Sequence, residues 1–410
     1  MNTKERRHEI DWLRVIAFFL LIFFHTGMFF VPWDFHFKNS QTSNLFELWM
    51  APLSQFRLPL LFMISGMGSY FVLLHRKTGA FFKERSVRLM LPLIFGMLVI
   101  IPPQIYYEHL YKGVNYSSYF EFYKKVFEFK PYPEGGCLSW HHLWYIIYIF
   151  FYSAISFPLI KFLKSESSSK FKNGLKNFLA KPGGLYLAVL PLLAIYYGMA
   201  RQFPTTHALY GDWFNLSFSF IFFIYGMLII STEGLWDVLQ KNRKTSLIIA
   251  AVPFLFLWLF VWGPTFEIMN ERTTAFFYFY GFLKLTFVTS WLFAIFGYSR
   301  ILLNKTNKLL KYANEAVYPF YILHQTVMLI FGYYIIQMSI GILPKFILVA
   351  LVTFGGSLFI YEFFIRRYNF MRVLFGLKPK SNFWTAEKDK IVKGEINYQN
   401  GVLLEIENEN

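Results

Sequence analysis

About ten long apolar runs, separated by shorter polar segments, constrain this chain more than any other feature of its sequence. Each run has about twenty residues, the length that an α-helix needs to cross the hydrocarbon core of a bilayer. Lipid offers the backbone no hydrogen bonds, so such runs predict helices. We therefore predict an all-α integral membrane protein, a bundle of about ten transmembrane helices. The predicted spans are 12–32, 45–74, 87–107, 140–162, 184–201, 213–231, 246–263, 276–298, 315–338 and 343–365.

The basic residues collect in alternate loops. Of the 40 lysines and arginines, we count about thirty in the loops on one side of the predicted bundle and fewer than ten on the other. The positive-inside rule then predicts that both termini are cytoplasmic. The net charge of +16 follows from this topology, and no nucleic-acid module is expected. The first run contains ionisable residues and lacks an A-x-A-like exit, which predicts a retained span rather than a cleaved signal peptide.

One transmembrane domain is predicted over residues 1–376. Composition turns polar after about Lys378, which predicts a polar cytoplasmic tail over residues 377–410. We find no internal repeat of the kind that supports an inverted-repeat transporter. The single cysteine, Cys137, excludes an internal disulfide and a cysteine-based metal cluster. The aromatic segment 108–139 suits either a capping loop or an interfacial helix, and its role stays open.

Arg14 and His25 lie within the first run. Eleven residues of α-helix advance roughly 20° past three full turns, so both side chains leave the same face and can line one cavity. Ionisable groups inside a span are costly and indicate a functional site. Two structural alternatives remain: Arg14 can reach the interface and bind lipid phosphate, and His25 can donate to a backbone carbonyl.

In the second span, Arg57 needs a carboxylate, a carbonyl or an anionic ligand. Glu47 and Glu362 are the obvious carboxylates within spans. Ser65 belongs to a patch of small residues that allows a neighbouring helix or a ligand to approach closely. A nucleophilic role for Ser65 requires a base within hydrogen-bond reach, which the sequence cannot establish.

Arg85 and Arg88 lie three residues apart at the start of the third span, facing the interface together. Two guanidinium groups in this arrangement suit phosphate. Phospholipid headgroups are one candidate ligand, and the phosphates of coenzyme A are the other.

The fourth span opens with the motif WHHLWYI. Trp140 and Trp144 share one face, which interfacial anchoring also explains. His141 and His142 point about 100° apart, which does not suit a metal ion shared between them, and we predict no metal site.

The ninth span carries the motif YPFYILHQ. Its residues Tyr318, Tyr321 and His324 recur at three-residue spacing on one broad helical face near mid-membrane. Each of them alone is more often a satisfied core group. Together with the residues of the first span they favour a common polar cavity.

These motifs together resemble the membrane acyltransferase family 3, a group of bacterial integral-membrane O-acyltransferases, over nearly all of the membrane portion. The resemblance rests on Arg14-x10-His25, the FMISG stretch with Ser65 and Gly66, the Arg85-x2-Arg88 pair, HLWYI from His142 and YPFYILH ending in His324. Within the family, the sequence looks most like the branch associated with succinylation of osmoregulated periplasmic glucans.

The resemblance implies a multi-pass protein of the bacterial inner membrane, with a cytoplasmic acyl-CoA donor, acetyl-CoA or succinyl-CoA, and a periplasmic or cell-surface glycan acceptor. No separate acyl-receiving domain follows the tenth predicted span, so transfer is expected within the membrane domain. His25 and Arg14 are the expected catalytic residues, with His25 acting as base or, alternatively, as covalent acyl carrier. Arg85 and Arg88 are expected to bind the donor. The expected substrate-binding residues are Arg57, Ser65, His142, Trp144, Tyr318, Tyr321 and His324.

Two other classes of protein fit part of this pattern. A transporter or flippase of an envelope glycan or anionic solute also needs buried arginine, histidine and tyrosine along its substrate path. A scaffold subunit of an envelope pathway needs no polar cavity. The expected partners are the lipid bilayer, acyl-CoA and the glycan, and a homo-oligomer is compatible with the sequence.

Overall fold

The computed structural model describes residues 7–74, 78–262, 273–380, 396–399 and 402–405. Its α-helices are α1 (His8–Gly27), α2 (Asn44–Leu74), α3 (Thr78–Arg85), α4 (Leu91–Phe95), α5 (Pro102–Tyr111), α6 (Tyr119–Tyr123), α7 (Trp144–Ile155), α8 (Phe157–Lys164), α9 (Ser169–Leu179), α10 (Val189–Met199), α11 (Trp213–Ser231), α12 (Leu235–Lys241), α13 (Arg243–Phe260), α14 (Thr274–Leu302), α15 (Lys308–Ile335), α16 (Ile342–Ile360) and α17 (Asn369–Leu374). Shorter 3₁₀ turns cover Lys124–Glu128, His141–Leu143, Glu166–Ser168 and Gly184–Ala188, and π-helical turns cover Ser86–Met90, Gly96–Ile100 and Tyr361–Ile365. Within the predicted tail, strands β1 (Ile396–Gln399) and β2 (Val402–Glu405) form an antiparallel pair with Ile396 opposite Glu405.

Within the described ranges, seven helical segments are long and apolar enough to cross a membrane. The number rises to nine if two sharply bent helix pairs each count as one span. These pairs are His141–Ile155 with Phe157–Lys164, bent by 52°, and Glu166–Leu179 with Gly184–Met199, bent by 115°. The helical membrane fold is therefore confirmed, whereas the predicted count of ten is not.

Helix α15 accounts for the difference in count. It spans 28 residues and contains positions 315–335 of the predicted ninth span, but it does not belong to the apolar set. Its polar side chains His324, Gln325 and Thr326 are buried inside the protein, at 1%, 4% and 7% exposure. A helix that faces protein on most sides does not need the uniform apolarity of a helix in lipid.

The third span, Phe81–Tyr111, contains the first two π-helical turns. Pro92 lies in this span and has no N–H to donate to the carbonyl of Arg88, four residues earlier. That carbonyl instead accepts a hydrogen bond from Tyr318 Oη at 3.2 Å. The irregular backbone thereby supplies a polar contact between the third span and α15.

Glycines set the distance between α2 and α11. A Cβ atom on Gly66 would lie 1.9 Å from the carbonyl oxygen of Phe223, and one on Gly226 would lie 1.9 Å from that of Met63. No side chain fits at either position, so the small-residue patch of the second span serves helix packing at Gly66.

The segment 200–212 folds over one end of the bundle and is held by Asp212, whose side chain is buried. The Asp212 carboxylate accepts hydrogen bonds from Tyr148 Oη and from the backbone N–H groups of Thr206 and His207. His207 itself adopts a left-handed backbone conformation, with φ of 58°. The side chain of His207 is thus fixed over the interior of the bundle.

Candidate active site

Two pockets share a wall inside the bundle. The larger has a volume of about 880 Å³ and is here named the histidine cavity. The smaller has a volume of about 300 Å³ and is named the arginine pocket. Leu61, Tyr145 and Tyr321 line both of them and form the dividing wall. The polar and aromatic residues that line only the histidine cavity include His25, His36, Arg57, Glu108, Tyr132, Trp140, His141, His142, Trp144, His207 and Gln325. Those that line only the arginine pocket include Arg14, Ser65, Glu84, Arg85, Arg88, Asn314 and Tyr318.

Three histidines from three helical segments meet beside the histidine cavity. The ring of His324 lies between the other two, with centroids 5.3 Å from His25 and 5.2 Å from His142. His324 is only 1% exposed and His142 8%. His25 of the first span and His324 of the ninth, for which a common polar cavity is predicted, therefore lie side by side, and His142 of the fourth span joins them.

The hydrogen bonds of these rings differ. His142 is bonded on both nitrogens, with Nε2 3.1 Å from the carbonyl oxygen of Ile322 and Nδ1 3.3 Å from Gln104 Nε2. His324 donates from Nδ1 to the carbonyl oxygen of Tyr321 at 2.7 Å. Within the described residues, His324 Nε2 and His25 Nδ1 are buried without a hydrogen-bond partner. His25 lines the histidine cavity, so its Nδ1 faces the space of a bound ligand, whereas His324 lines neither pocket in the described structure.

Arg57 lies in the same cavity and is 7% exposed. Its guanidinium carbon sits 3.4 Å from the centroid of the Phe24 ring, a cation–π contact that partly offsets burial of the charge. Its Nε and Nη1 atoms have no hydrogen-bond partner in the part of the chain that the structure describes. Unsatisfied buried donors of this kind are costly, at about 1–3 kcal/mol each. They are suited to an anionic or carbonyl oxygen of a ligand.

The expected carboxylate partners of Arg57 are engaged elsewhere. Glu47 accepts a hydrogen bond from Trp33 Nε1 at 2.7 Å. Glu362 accepts from Tyr312 Oη at 2.5 Å and pairs with Arg366 at 3.1 Å. The hypothesis that either carboxylate neutralises Arg57 is therefore wrong in this structure. A ligand remains the predicted partner.

Aromatic side chains surround the mouth of the histidine cavity. Trp144 stacks on His207 with a centroid separation of 4.2 Å and an interplanar angle of 26°. Trp140 Nε1 donates to the carbonyl oxygen of His207 at 2.8 Å, which ties the 200–212 segment to the start of α7. The ring centroids of Tyr132 and His141 lie 4.9 Å apart at the same opening. Such faces are suited to the apolar faces of sugar rings.

Three arginines line the arginine pocket, and each has a partner of its own. Arg14 Nη1 lies 2.9 Å from Asn314 Oδ1 and 3.3 Å from Asp11 Oδ1. Arg85 Nη2 donates to Ser69 Oγ at 2.8 Å. Arg88 Nε donates to the carbonyl oxygen of Gly376 at 3.2 Å, and its Nη1 lies 3.6 Å from Glu84. The lining of this pocket thus contains three guanidinium groups and one carboxylate, that of Glu84, so its surface carries a net positive charge.

Two tyrosines hold the dividing wall. Tyr145 Oη donates to the carbonyl oxygen of Leu61 at 2.9 Å and lies 2.8 Å from Ser65 Oγ. Tyr321 Oη donates to the carbonyl oxygen of His142 at 2.5 Å. The two rings meet edge to face, 6.0 Å apart. Ser65 thus contacts a phenol rather than a basic group, which gives no support to a nucleophilic role.

The structure separates two residues that the helical spacing brings together. Arg14 and His25 both project from α1, but Arg14 lines the arginine pocket and His25 the histidine cavity. The expectation that they line one cavity is therefore wrong, because side chains from α2, α7 and α15 form a wall between them. Tyr318 likewise lines only the arginine pocket.

Several lining residues escaped the sequence interpretation. Tyr145 and Gln325 are direct neighbours of predicted residues within the WHHLWYI and YPFYILHQ motifs, so the motifs held the signal. His36 and His207 come from segments with no recognisable pattern. They reach the site only through tertiary packing.

Comparison with known proteins gives a consistent set of relatives. The sequence profile of a family described as an acyltransferase domain matches residues 7–362. Three proteins named Glucans biosynthesis protein C are each 22% identical to this chain over 391 residues; they come from Escherichia coli O81 (strain ED1a), Shigella dysenteriae serotype 1 (strain Sd197) and Escherichia coli (strain K12). Each alignment covers 92% of this chain and 95% of the relative. No solved structure matches.

Proposed function

This chain belongs to the acyltransferase family whose profile spans residues 7–362 and is a membrane acyltransferase; we propose that it moves an acyl group from a cytoplasmic acyl-CoA to a hydroxyl of a glycan across the membrane. The name of the relatives favours a glucan as the acceptor. The acyl group we propose is acetyl or succinyl. The proposed location is the bacterial inner membrane, with both termini in the cytoplasm.

The arginine pocket is the proposed donor site. Coenzyme A carries a 3′-phosphate and a pyrophosphate, and guanidinium groups bind such oxygens with paired, charge-assisted hydrogen bonds. Arg85 and Arg88 supply these groups at the opening, and Arg14 supplies a third from α1. In this orientation the pocket opens toward the cytoplasm, where acyl-CoA is found.

The histidine cavity is the proposed acceptor and reaction site. Its volume of about 880 Å³ falls within the range of small-molecule sites. The Trp144–His207 stack and Trp140 form an aromatic edge that suits a sugar ring. The acyl thioester would reach this cavity at the wall of Leu61, Tyr145 and Tyr321, since these residues alone contact both pockets among the described lining residues.

His25 is the proposed general base. Its Nδ1 is buried and without a partner in the described structure, beside an equally unpartnered Nε2 of His324. The acceptor hydroxyl oxygen attacks the thioester carbonyl carbon while the hydroxyl proton passes to His25. The new C–O ester bond forms, the C–S bond breaks, and the proton passes from His25 to the departing thiolate to give free coenzyme A.

Arg57 is the proposed stabiliser of the oxyanion. Negative charge develops on the thioester oxygen during attack, and preorganised donors in a low-dielectric site stabilise it strongly. The Nε and Nη1 atoms of Arg57, which have no partner among the described residues, are such donors in the same cavity as His25. The single observation that carries the proposal is this pairing of an unpartnered imidazole nitrogen with unpartnered guanidinium donors in one buried cavity.

The test is release of free coenzyme A by the purified protein in lipid, with acetyl-CoA or succinyl-CoA and a glucan acceptor. His25→Ala should lower the rate by about 10²–10⁴-fold, the usual contribution of a general base. His109→Ala is the matched control, because His109 bonds to Tyr116 and lines neither pocket in the described structure. Acceptor movement across the membrane without coenzyme A release would instead support transport, and equal turnover in His25→Ala and wild type would remove His25 as base.

A further inference from the structure

A second cluster of ligand-type side chains lies on the wall of the histidine cavity, apart from His25 and Arg57. His36, Glu108 and His141 each offer one nitrogen or oxygen atom, and these three atoms lie within 4.8 Å of one another. They come from the segment between α1 and α2, from α5, and from the start of the fourth span. Chain segments far apart in sequence therefore converge at one point.

We propose that His36, Glu108 and His141 bind a divalent transition-metal ion of the Zn²⁺ class. Two imidazole nitrogens and one carboxylate oxygen form a ligand set that such ions favour, with a fourth position left for water or a ligand oxygen. Tetrahedral zinc holds its ligand atoms roughly 3.4 Å apart, so small side-chain adjustments bring this cluster into range. The proposal goes beyond acyl transfer and does not depend on it.

His141 supplies the strongest argument. Its Nδ1 lies 2.7 Å from Ser139 Oγ, whereas its Nε2 is buried with no hydrogen-bond partner in the described residues. Its backbone adopts φ of 37°, a left-handed conformation that is uncommon for a residue other than glycine. A strained backbone thus holds an imidazole with one unsatisfied nitrogen against its neighbours. A metal ion satisfies that nitrogen.

The hydrogen bonds around Glu108 resemble those that orient a metal-binding carboxylate. Glu108 is 3% exposed, and its Oε1 accepts hydrogen bonds from Lys112 Nζ and Tyr132 Oη, both at 2.5 Å. Its Oε2 has one partner within the described residues, His36 Nδ1 at 2.7 Å. Outer partners of this kind orient a ligating carboxylate and leave the other oxygen for the ion.

His36 fits the same arrangement. Its ring stacks against that of His141, with centroids 5.1 Å apart and an interplanar angle of 15°. Its Nε2 lies 3.0 Å from the side-chain amide of Gln325. When Nδ1 binds a metal, Nε2 carries a proton and needs an acceptor. The buried Gln325 Oε1 has no partner in the described structure. If the Gln325 amide rotates, this oxygen can accept the proton of His36 Nε2. The rotation breaks the 3.3 Å hydrogen bond from Gln325 Nε2 to Gln104 Oε1.

A simple hydrogen bond between His36 and Glu108 is the competing explanation. It accounts for the 2.7 Å contact, but it leaves His141 Nε2 unsatisfied beside them. A metal ion accounts for all three side chains. All three residues line the histidine cavity, so the fourth coordination position of the proposed ion lies toward the volume proposed for the acceptor. Hydroxyl oxygens of the acceptor are suitable ligands for that position.

The experiment measures metal content directly. The purified full-length protein in lipid is stripped with a chelator, equilibrated with Zn²⁺, and washed before the bound zinc is quantified. We expect about one retained ion per chain and a raised midpoint of thermal unfolding, since binding to the folded state stabilises it. His141→Phe keeps the stacked ring but removes both nitrogens, and it should lose the retained ion and the thermal shift.

Two further variants make the outcome decisive. Glu108→Gln should also lose the ion, whereas His109→Ala, one residue away and bonded to Tyr116, should retain it. Unchanged unfolding midpoints without metal would show that the variants fold. No retained zinc in wild type, or equal retention in wild type and in a folded His141→Phe or Glu108→Gln, would overturn the proposal.

Discussion

The histidine cavity and the arginine pocket share a wall but treat their polar groups differently. In the arginine pocket, Arg14 and Arg85 each have a side-chain hydrogen-bond partner at 2.8–2.9 Å. In the histidine cavity, His25 Nδ1 and two nitrogens of Arg57 are buried without partners among the described residues. Satisfied cations form a stable surface that attracts an anion. Unsatisfied buried groups cost stability, and they gain most from charge that exists only during a reaction.

This difference predicts which kinetic constant each pocket controls, and the largest effect belongs to Arg57. Arg57→Met keeps much of the side-chain volume but removes the donors proposed for the oxyanion, so kcat should fall about 10²–10³-fold. The KM for acyl-CoA should change little. Initial rates of coenzyme A release across a range of donor concentrations give both constants.

Arg201→Met is the control for loss of an arginine. Arg201 also stacks on an aromatic ring, with its guanidinium carbon 4.2 Å from the centroid of Phe277, but it is exposed and lines neither pocket in the described structure. Its variant should keep wild-type kcat. A large rise in the KM for acyl-CoA in Arg57→Met, with kcat unchanged, would show that the donor binds in the histidine cavity, which contradicts the proposed donor site.

The next effect concerns the arginine pocket. Replacing both Arg85 and Arg88 with alanine removes two groups proposed to bind phosphate, each worth about 1.5–3 kcal/mol when charged. We expect the KM for acyl-CoA to rise about 10²-fold or more while kcat at saturating donor stays near wild type. A pure loss of kcat, with KM unchanged, would contradict the assigned role.

A smaller effect is expected at the wall. Tyr145→Ala removes a ring that separates the pockets, which should allow water to reach the thioester and raise coenzyme A release in the absence of acceptor by several-fold. Tyr145→Phe keeps the ring and loses only the contacts to Leu61 and Ser65, so it should hydrolyse donor at the wild-type rate. Acceptor-free release that is equally low in both variants would show that the tyrosine ring is not the barrier.

The smallest effect is a pH dependence at His207, in the 200–212 segment. Burial lowers the pKa of His207; the neighbouring carboxylate of Asp212 raises it and the charge of Arg57 lowers it, and the net effect is a lowered pKa. The unfolded chain, with an ordinary histidine pKa of about 6.5, then binds more protons than the folded chain, so folding stability is lost as the pH falls through that value. His207→Phe keeps an aromatic ring against Trp144 and should lose less stability between pH 7.5 and pH 5.5.

Thermal unfolding of both proteins at the two pH values measures this difference. Parallel losses in wild type and variant would mean that protonation of His207 does not contribute. An increased loss in the variant would reverse the sign of the proposed effect.

The sequence predicted the helices better than it predicted what lies between them. Length and apolarity are local properties, and they identified the spans of α1, α2 and α11 closely. The count of ten is not confirmed, because α15, whose polar side chains face protein rather than lipid, falls outside the apolar set. A hydropathy average cannot distinguish these environments.

The candidate site shows the same division. The eleven-residue spacing placed Arg14 and His25 on one face of α1, but their assignment to separate pockets depends on Tyr145 and Tyr321 from other helices. His36 and Glu108 are 72 positions apart and belong to no motif, so only the fold brings them to hydrogen-bond distance. The motifs located the residues, and tertiary packing determined their partners.

The thin wall of Leu61, Tyr145 and Tyr321 has an electrical consequence. When water fills the pockets on both sides, it conducts far better than the packed side chains between them, so the membrane voltage drops mainly across that wall. Each elementary charge that crosses it then gains or loses about 2.3 kcal/mol per 100 mV. A neutral acetyl group would pass without sensing this field. In the proposed orientation, an inside-negative voltage would drive the carboxylate of a succinyl group outward across the wall.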